Sequence, residues 1–450
     1  MVAAERTGRA VPQLPGRLPV VGHAPLLLRR GLSLMEQARD LAPLVKIYLG
    51  RKPAYLVNDP ELLRRVLVTD ADAFAGKGPL VEKAKLVLGN GISCSTGEFN
   101  HSQRRLVQPA FHRDRVAGYV DIMQRVVSDQ LDQWRHGERR IIEQEMREIA
   151  LTVAAKALFA SDLGAEAVAE FRRSIPVAIS GVAVRTMMPA VGKLPLPANR
   201  RFDAALHDLH AIVDRMIESY QRDGIDHGDV LSMLLAARDQ DTDAAMPQEQ
   251  VQAEVMTIAT AATETTNGAL VWAAFELGRQ PDVERRLLDE LTEVLGDRPV
   301  TSSDLPNLEY LRRFLKEVLR LYALWVLTRQ TTRDTTLGGV RIPAGATVMF
   351  SPQAIHRDPR IYPDPDRFDP DRWLPDRAAA VPRHAFLPFG AGRYICIGEQ
   401  FAMTELQVTF STLVRRVRLR PVPGLKVQPS VAKGGLPNTL PMTVELRSRS

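Results

Sequence analysis

At 450 residues, with 45% hydrophobic and 25% charged positions, the chain has the composition of a globular protein with an ample core and excludes a collagen-like or low-complexity one. Two cysteines rule out a disulfide framework or a Cys₄ metal site and suit a reducing, cytoplasmic compartment. The net charge of +6 comes from scattered arginines with no basic run interleaved with aromatics, which argues against nucleic-acid binding and suits an acidic protein partner. Met1 to Ala10 has no long apolar run, and Leu26 to Leu28 is too short to span a bilayer, so neither a signal peptide nor a membrane anchor is expected. No linker, charge block or repeat divides the chain, which predicts one large domain over 1–450 with a short extended segment at 1–16.

In chain order, Pro12-Gln13-Leu14-Pro15-Gly16 reads as a stiff, extended entry, followed by a helical stretch over Leu34 to Leu41. Val45 to Leu49 and Ala54 to Val57 alternate around Gly50-Arg51-Lys52-Pro53 and predict a β-hairpin. Asp59 is placed to cap the next helix, with Pro60 in its first turn. From there to about residue 330 the apolar positions fall three and four apart, the helical period. Within this body His101 and Arg105 share a helical face, and both suit a carboxylate partner, while Arg104 reads as a solvated base. In Ala261-Ala262-Thr263-Glu264-Thr265-Thr266 a buried threonine more often just bonds a carbonyl one turn back. Glu317-Val318-Leu319-Arg320 sets acid and base on one face, a pairing that any charged helix can contain. Thr335 to Met349 changes to strand-and-turn composition, broken by Gly338-Gly339 and Pro343-Ala344-Gly345. The predicted fold class is mainly α with minor β.

The stretch Phe389-Gly390-Ala391-Gly392-Arg393-Tyr394-Ile395-Cys396-Ile397-Gly398 carries the sharpest chemical signal. A lone cysteine framed by glycines reads either as a single thiolate ligand or, more blandly, as a buried structural cysteine in a glycine-rich turn. Heme iron takes one strong protein ligand opposite an open face, and a thiolate there favours cleavage of the dioxygen bond. Gly390, Gly392 and Gly398 would let the backbone wrap the sulfur through positive φ and close approach. Glu399 to Leu406 reads as helix, so Cys396 would lie near a helix N-terminus, whose partial positive charge stabilises a thiolate.

With Phe389, Gly392, Cys396 and Gly398 at these spacings, the chain resembles the cytochrome P450 superfamily, in its bacterial style without an anchor. The resemblance extends along the whole chain and implies a P450 fold, a heme b held through Cys396, and monooxygenase activity using O2 and NAD(P)H electrons from a ferredoxin and ferredoxin reductase. It also implies a cradle of His101, Arg105 and Arg329 for the heme propionates, with Phe389, Gly392 and Gly398 shaping the cofactor loop. Phe368-Asp369-Pro370-Asp371-Arg372-Trp373 matches a second family segment, which makes Glu317, Arg320 and Arg372 a structural triad. Glu264 and Thr265 match the acid and threonine that deliver protons to bound dioxygen. Two positions depart from the family pattern. Tyr394 stands where Arg or His usually reaches a propionate; its hydroxyl can hydrogen-bond but carries no charge. Ala262 stands where glycine is common.

By position in that pattern, the substrate pocket draws on Val326, Leu327 and Ala261, with Ile258, Ala259, Leu86 to Leu88, Ile92 and Val177 to Val184 nearby, although any of these can equally be a core residue. This apolar lining predicts a small apolar substrate. Leu194 to Phe202 and Ala323 to Arg329 look like segments of bacterial sesquiterpene oxidases, which points to a cyclic sesquiterpene or other terpenoid of secondary metabolism. Other readings are a P450 for steroids, macrolides or fatty acids, a peroxide-driven peroxygenase, or a heme-thiolate sensor. Peroxygenase relatives usually lack the acid and threonine, so Glu264-Thr265 favours O2. The chain is expected to be a monomer.

Overall fold

Alternation over residues 44–57 becomes, in the computed structural model, an antiparallel hairpin of Leu44–Leu49 and Lys52–Val57 that turns at Gly50, whose φ is 63°. The structure describes residues 11–159, 164–187, 190–238, 243–430 and 435–447. The chain gathers into two units.

The first unit runs to Gly78 and resumes over Lys316–Cys396 and Pro429–Leu436. Here Lys52–Val57 pairs parallel with Thr347–Phe350, which pairs antiparallel with Leu327–Gln330 to complete a four-stranded sheet. Successive residues face opposite sides of this sheet. Tyr55, Val57, Val348 and Phe350 join Phe74 and Leu387 in one core, whereas Ala54, Leu56 and Met349 join Leu14, Leu34 and Met35 in another. The extended entry is extended where described: Leu14 N donates to Lys46 O at 3.0 Å and Lys46 N to Pro12 O at 2.8 Å, while residues 1–10 lie outside the described residues. The helix expected from Leu34 begins at Leu32, and an unanticipated helix, Ala24–Arg30, takes in Leu26 to Leu28. Asp59 caps Pro60–Arg64, accepting from the N–H groups of Glu61 and Leu62 at 3.0 and 2.9 Å. Gly338 and Gly339, with φ of 59° and 77°, close the hairpin of Thr335–Leu337 and Val340–Ile342.

The second unit comprises Pro79–Leu315, Ile397–Gln428 and Pro437–Ser450. Most of it is helix, and its longest helix, Gln248–Arg279, spans about 48 Å. That helix has no single apolar stripe: polar residues such as Glu254, Thr263 and Asn267 are buried along it with the apolar ones, so burial through most of its length holds it. Val251, Val255, Ile258 and Ala259 are buried, as are Leu270, Trp272 and Leu277, while Ala261 and Thr265 between them are exposed. Ile142–Leu158 packs along it. Glu399–Arg416 is buried through most of its length, with the Phe410 ring 5.8 Å from that of Phe314. A three-stranded sheet of Arg139–Ile141, Pro441–Leu446 and Val417–Pro421 meets the long helix at Gly278, where an added Cβ would come within 2.8 Å of Leu419 O. The mainly α, minor β class read from the sequence is the class observed.

Candidate active site

A loop built on glycines has few side chains to hold it, so backbone bonds must. In the first unit Cys396 N donates to Phe389 O at 2.9 Å and Ile395 N to Gly392 O at 3.0 Å, folding a tight loop on which Cys396 is exposed. Gly390 and Gly392 adopt left-handed φ values of 73° and 68°. A Cβ on Gly392 would stand 1.8 Å from Leu67 O, so the loop lies directly on the helical turn Arg65–Thr69. Gly392→Ala is therefore expected to destabilise the protein by at least about 1–3 kcal/mol through backbone strain, before the clash is counted. Urea unfolding checks this; an unchanged midpoint would contradict so close an approach. Gly398, in the second unit, departs from expectation, because its φ of −88° is open to any residue; it stands at the N-cap of the helix Glu399–Arg416. The other cysteine, Cys94, is buried.

Glu317 and Arg320 are fully buried in the first unit, and Arg372 is brought to them. Glu317 accepts from Arg320 Nε and Nη2 at 2.9 and 2.8 Å, Arg372 Nε at 3.3 Å, Trp373 Nε1 at 3.0 Å and Asp369 N at 3.0 Å. Arg320 also donates to His356 O at 2.8 Å. His356 Nε2 accepts from Leu387 N at 2.8 Å, which leaves Nδ1 to donate to Arg320 O at 3.1 Å. The network thus reaches the chain two residues before Phe389.

Complete burial pushes the His356 pKa down to about 3, so the ring is neutral in the fold. An unfolded histidine titrates near 6.5. Below that value only the unfolded chain takes up the proton, so stability is full above about pH 6.5 and is lost as pH falls toward 3. Between pH 7 and pH 5 this residue is expected to cost about 2 kcal/mol. Urea unfolding of wild type and His356→Gln at both values tests this, and equal losses in the two proteins would refute it.

Arg329, on the strand Leu327–Gln330, is 9% exposed and donates to Thr328 O at 2.8 Å. Among the described residues no carboxylate pairs with it, and burial pulls its pKa down to about 10. Its guanidinium lies 5.2 Å from the centre of the Tyr394 ring, and the Lys77 ammonium, also buried, lies 4.4 Å from the same centre. Tyr394, read from the sequence as able to hydrogen-bond a propionate, instead donates its single proton to Ala75 O at 2.8 Å. The neighbouring Arg393 is paired with Asp72 at 2.9 Å. Val326 packs against the core that contains Leu14, and Leu327 against the one that contains Phe74, so these adjacent residues turn to different cores.

In the second unit His101 and Arg105 lie on one face of helix Gly97–Val107, and both are exposed. Arg105 lines a cavity of about 330 Å³ with Ser102, Leu106, Pro109, Met233 and Arg238. On the long helix Thr265 Oγ1 donates to Ala261 O at 2.8 Å, so the carbonyl bond weighed in the sequence is made, while the residue stays exposed beside Ala261. Glu264 is paired with Arg147 of Ile142–Leu158 at 2.9 Å. Burial pushes the Glu264 carboxyl above the usual range, and the Arg147 charge pulls it back. Lys77, His356 and Arg147 were not singled out in the sequence. Gly76-Lys77-Gly78 was the one local hint; the other two carry no pattern of their own.

A model of the family described as cytochrome P450 matches residues 12–444, and the chain belongs to that family. Heme with cysteine-thiolate iron, monooxygenase activity and electrons from a redox partner come with membership. The chain is 44% identical to cyclooctatin synthase of Streptomyces melanosporofaciens over 92% of its own length and 91% of the relative's. It is 40% identical to cyclooctat-9-en-7-ol 5-monooxygenase of the same organism, covering 96% of this chain and 95% of that one. Pentalenene oxygenase of Streptomyces avermitilis is 37% identical, with 92% of each chain covered. Among solved structures, retinoic acid-bound cyanobacterial CYP120A1 is similar at a TM-score of 0.87 and 25% identity, covering 98% of this chain and all of that one. Among the described residues no helix is long and apolar enough to cross a membrane.

Proposed function

We propose that this cytochrome P450 inserts an oxygen atom from O2 into a carbon–hydrogen bond of a cyclic terpenoid, working as one catalytic domain over 1–450. The observation that carries this reading is near full-length similarity, at 37–44% identity, to three Streptomyces enzymes named for cyclooctatin, cyclooctat-9-en-7-ol and pentalenene. The second name specifies a ring skeleton that already bears one hydroxyl and one double bond, a substrate with few polar handles. Binding spectra with pentalenene, cyclooctat-9-en-7-ol, a steroid, a macrolide and a fatty acid test the substrate class. A shift with one of the first two is expected; a shift confined to the other three would overturn the terpenoid reading. A ferredoxin with its NAD(P)H-dependent reductase is proposed as redox partner, and the protein as a cytoplasmic monomer, a compartment that two cysteines in 450 residues suit.

The residues fit heme on two counts: an exposed thiol on a tight loop in which Gly392 leaves no room for a Cβ, and a buried guanidinium for which the described residues offer no carboxylate. Cys396 would bind the iron, and Arg329, His101 and Arg105 would bind the propionates, with Phe389, Gly392 and Gly398 shaping the loop. When bound, heme supplies dioxygen activation, which a thiolate ligand favours. The chain's own part is proton supply and orientation. Thr265 Oγ1, donating to Ala261 O, keeps lone pairs free to accept a hydrogen bond, and burial holds the Glu264 carboxyl above the usual range, which favours its taking part in proton exchange. In Thr265→Ala the fraction of electrons recovered as product is expected to fall several-fold, on the order of tenfold, while stability changes by about 0.5 kcal/mol or less. Measuring NAD(P)H consumed against product formed checks this; unchanged coupling removes Thr265 from proton delivery.

A further inference from the structure

Within the second unit, the loop that joins helix Pro79–Leu88 to helix Gly97–Val107 lies flat on the long helix Gln248–Arg279. Its middle, Gly89-Asn90-Gly91, has no apolar side chain to bury, so hydrogen bonds hold it there. Gln250, Ala253, Glu254 and Thr257 meet the loop, spaced three and four apart along one face of the helix. Gln250 Nε2 donates to Asn90 O at 3.4 Å and Thr257 Oγ1 to Leu88 O at 3.4 Å, while Glu254 Oε2 accepts from Ile92 N at 2.9 Å. The Glu254 carboxyl is itself fixed, its Oε1 accepting from Gln250 Nε2 at 2.8 Å. The approach is close: a Cβ on Gly91 would stand 2.6 Å from Ala253 O, and one on Gly89 2.8 Å from Ala253 Cβ. On its other side Ile92 O accepts from Asn100 Nδ2 at 2.8 Å, so side chains of two helices grip the backbone of one residue. Glu254 and Ile92 are 0% and 8% exposed. Removing an acceptor from a buried amide costs more than the bond itself contributes. A segment held mainly by a few such bonds opens more readily than the packed core around it.

We propose that Glu254 is a positioning residue for substrate: through the Ile92 amide it clasps the loop 88–95 to the long helix, and an apolar ligand binds tightly only with the clasp made. This rests on the reading that Leu88, Ile92 and Ala261 border an apolar substrate. Ala261 lies about 10 Å further along the helix that carries Glu254. The clasp therefore sets how far the loop stands from Ala261 and Thr265, where proton delivery is placed.

The test follows binding spectra of the heme-loaded protein with imidazole, a small ligand for heme iron, and with 4-phenylimidazole, which adds an apolar ring. Wild type is compared with Glu254→Leu, Glu254→Gln, Gly91→Ala and Ile92→Ala. Glu254→Leu and Gly91→Ala break the clasp from the helix and from the loop; both are expected to bind 4-phenylimidazole roughly tenfold more weakly than wild type and imidazole equally well. Glu254→Gln keeps an acceptor for Ile92 N and is expected to recover most of the affinity. Without ligand, hydrogen exchange at the Ile92 amide is expected to quicken about tenfold in Glu254→Leu. Wild-type affinity for 4-phenylimidazole in Glu254→Leu and Gly91→Ala, with Ile92→Ala weakened, overturns the clasp and leaves the pocket reading standing. No change in Ile92→Ala either overturns the reading that this loop borders the substrate. Equal weakening of imidazole in Glu254→Leu and Gly91→Ala overturns the clasp as well, because the damage would then be to the fold as a whole.

Discussion

Replacing Cys396 by serine is expected to abolish oxygen insertion and the thiolate-type carbon monoxide difference spectrum while leaving the chain folded. The loop is shaped by the bond from Cys396 N to Phe389 O and by the left-handed Gly390 and Gly392, none of which needs the sulfur. A serine hydroxyl stays protonated where a thiol in a favourable setting ionises, so the strong electron donor to iron is lost. A turnover loss of at least about a thousandfold is expected, equal to roughly 4 kcal/mol in the barrier. Cys94→Ala provides the contrast: it is a small change at a buried residue, expected to keep the spectrum. Circular dichroism confirms folding, and the spectrum with carbon monoxide reports the ligand. A thiolate spectrum retained in Cys396→Ser and lost in Cys94→Ala would move the ligand to Cys94.

Glu317→Gln is expected to remove most of the stability of the network beneath the cysteine loop. The substitution keeps the shape of the side chain but deprives Arg320 and Arg372, 0% and 3% exposed, of the one carboxylate they share. Breaking a buried ion pair from one side costs about 3–5 kcal/mol, a large part of the roughly 5–15 kcal/mol that holds a protein folded. Strain should pass along Arg320, His356 and Leu387 toward Phe389, so heme content is expected to fall together with the urea midpoint. Arg320→Lys should fare no better, because one ammonium cannot replace a fork that bonds both Glu317 oxygens and His356 O. Wild-type values of both measurements in Glu317→Gln would show the pair to be dispensable.

Features carried by neighbouring residues were legible in the chain. The hairpin at 44–57, the Asp59 cap and the Gly338-Gly339 turn depend on φ preferences and periods that act over a few residues, and each is found. Pairings at long range were legible only where a motif supplied them, as with Arg372 and Glu317, 55 residues apart. Without a motif they were not. Tyr394 and Ala75 are 319 residues apart, and nothing local to either distinguishes a hydroxyl available to a ligand from one already donating. Arg147 and Glu264, 117 apart, show the same limit: each reads as an ordinary charged helical residue until two helices pack side by side. The glycines divide likewise. All three near Cys396 looked equally necessary, yet Gly392 faces a carbonyl at a distance no Cβ allows, while Gly398 has an ordinary backbone conformation.

By itself, then, the sequence determined the family, the helical class, the cysteine loop and the residue types of the site, because these depend on spacing and on the chemistry of single side chains. The tertiary structure alone decided that Arg393 is taken up by Asp72, where the Tyr394 proton goes and that His356 is neutral. The physical reason is that a buried polar group takes whichever partner packing brings within hydrogen-bond reach, and its charge state follows from how completely that packing removes it from water.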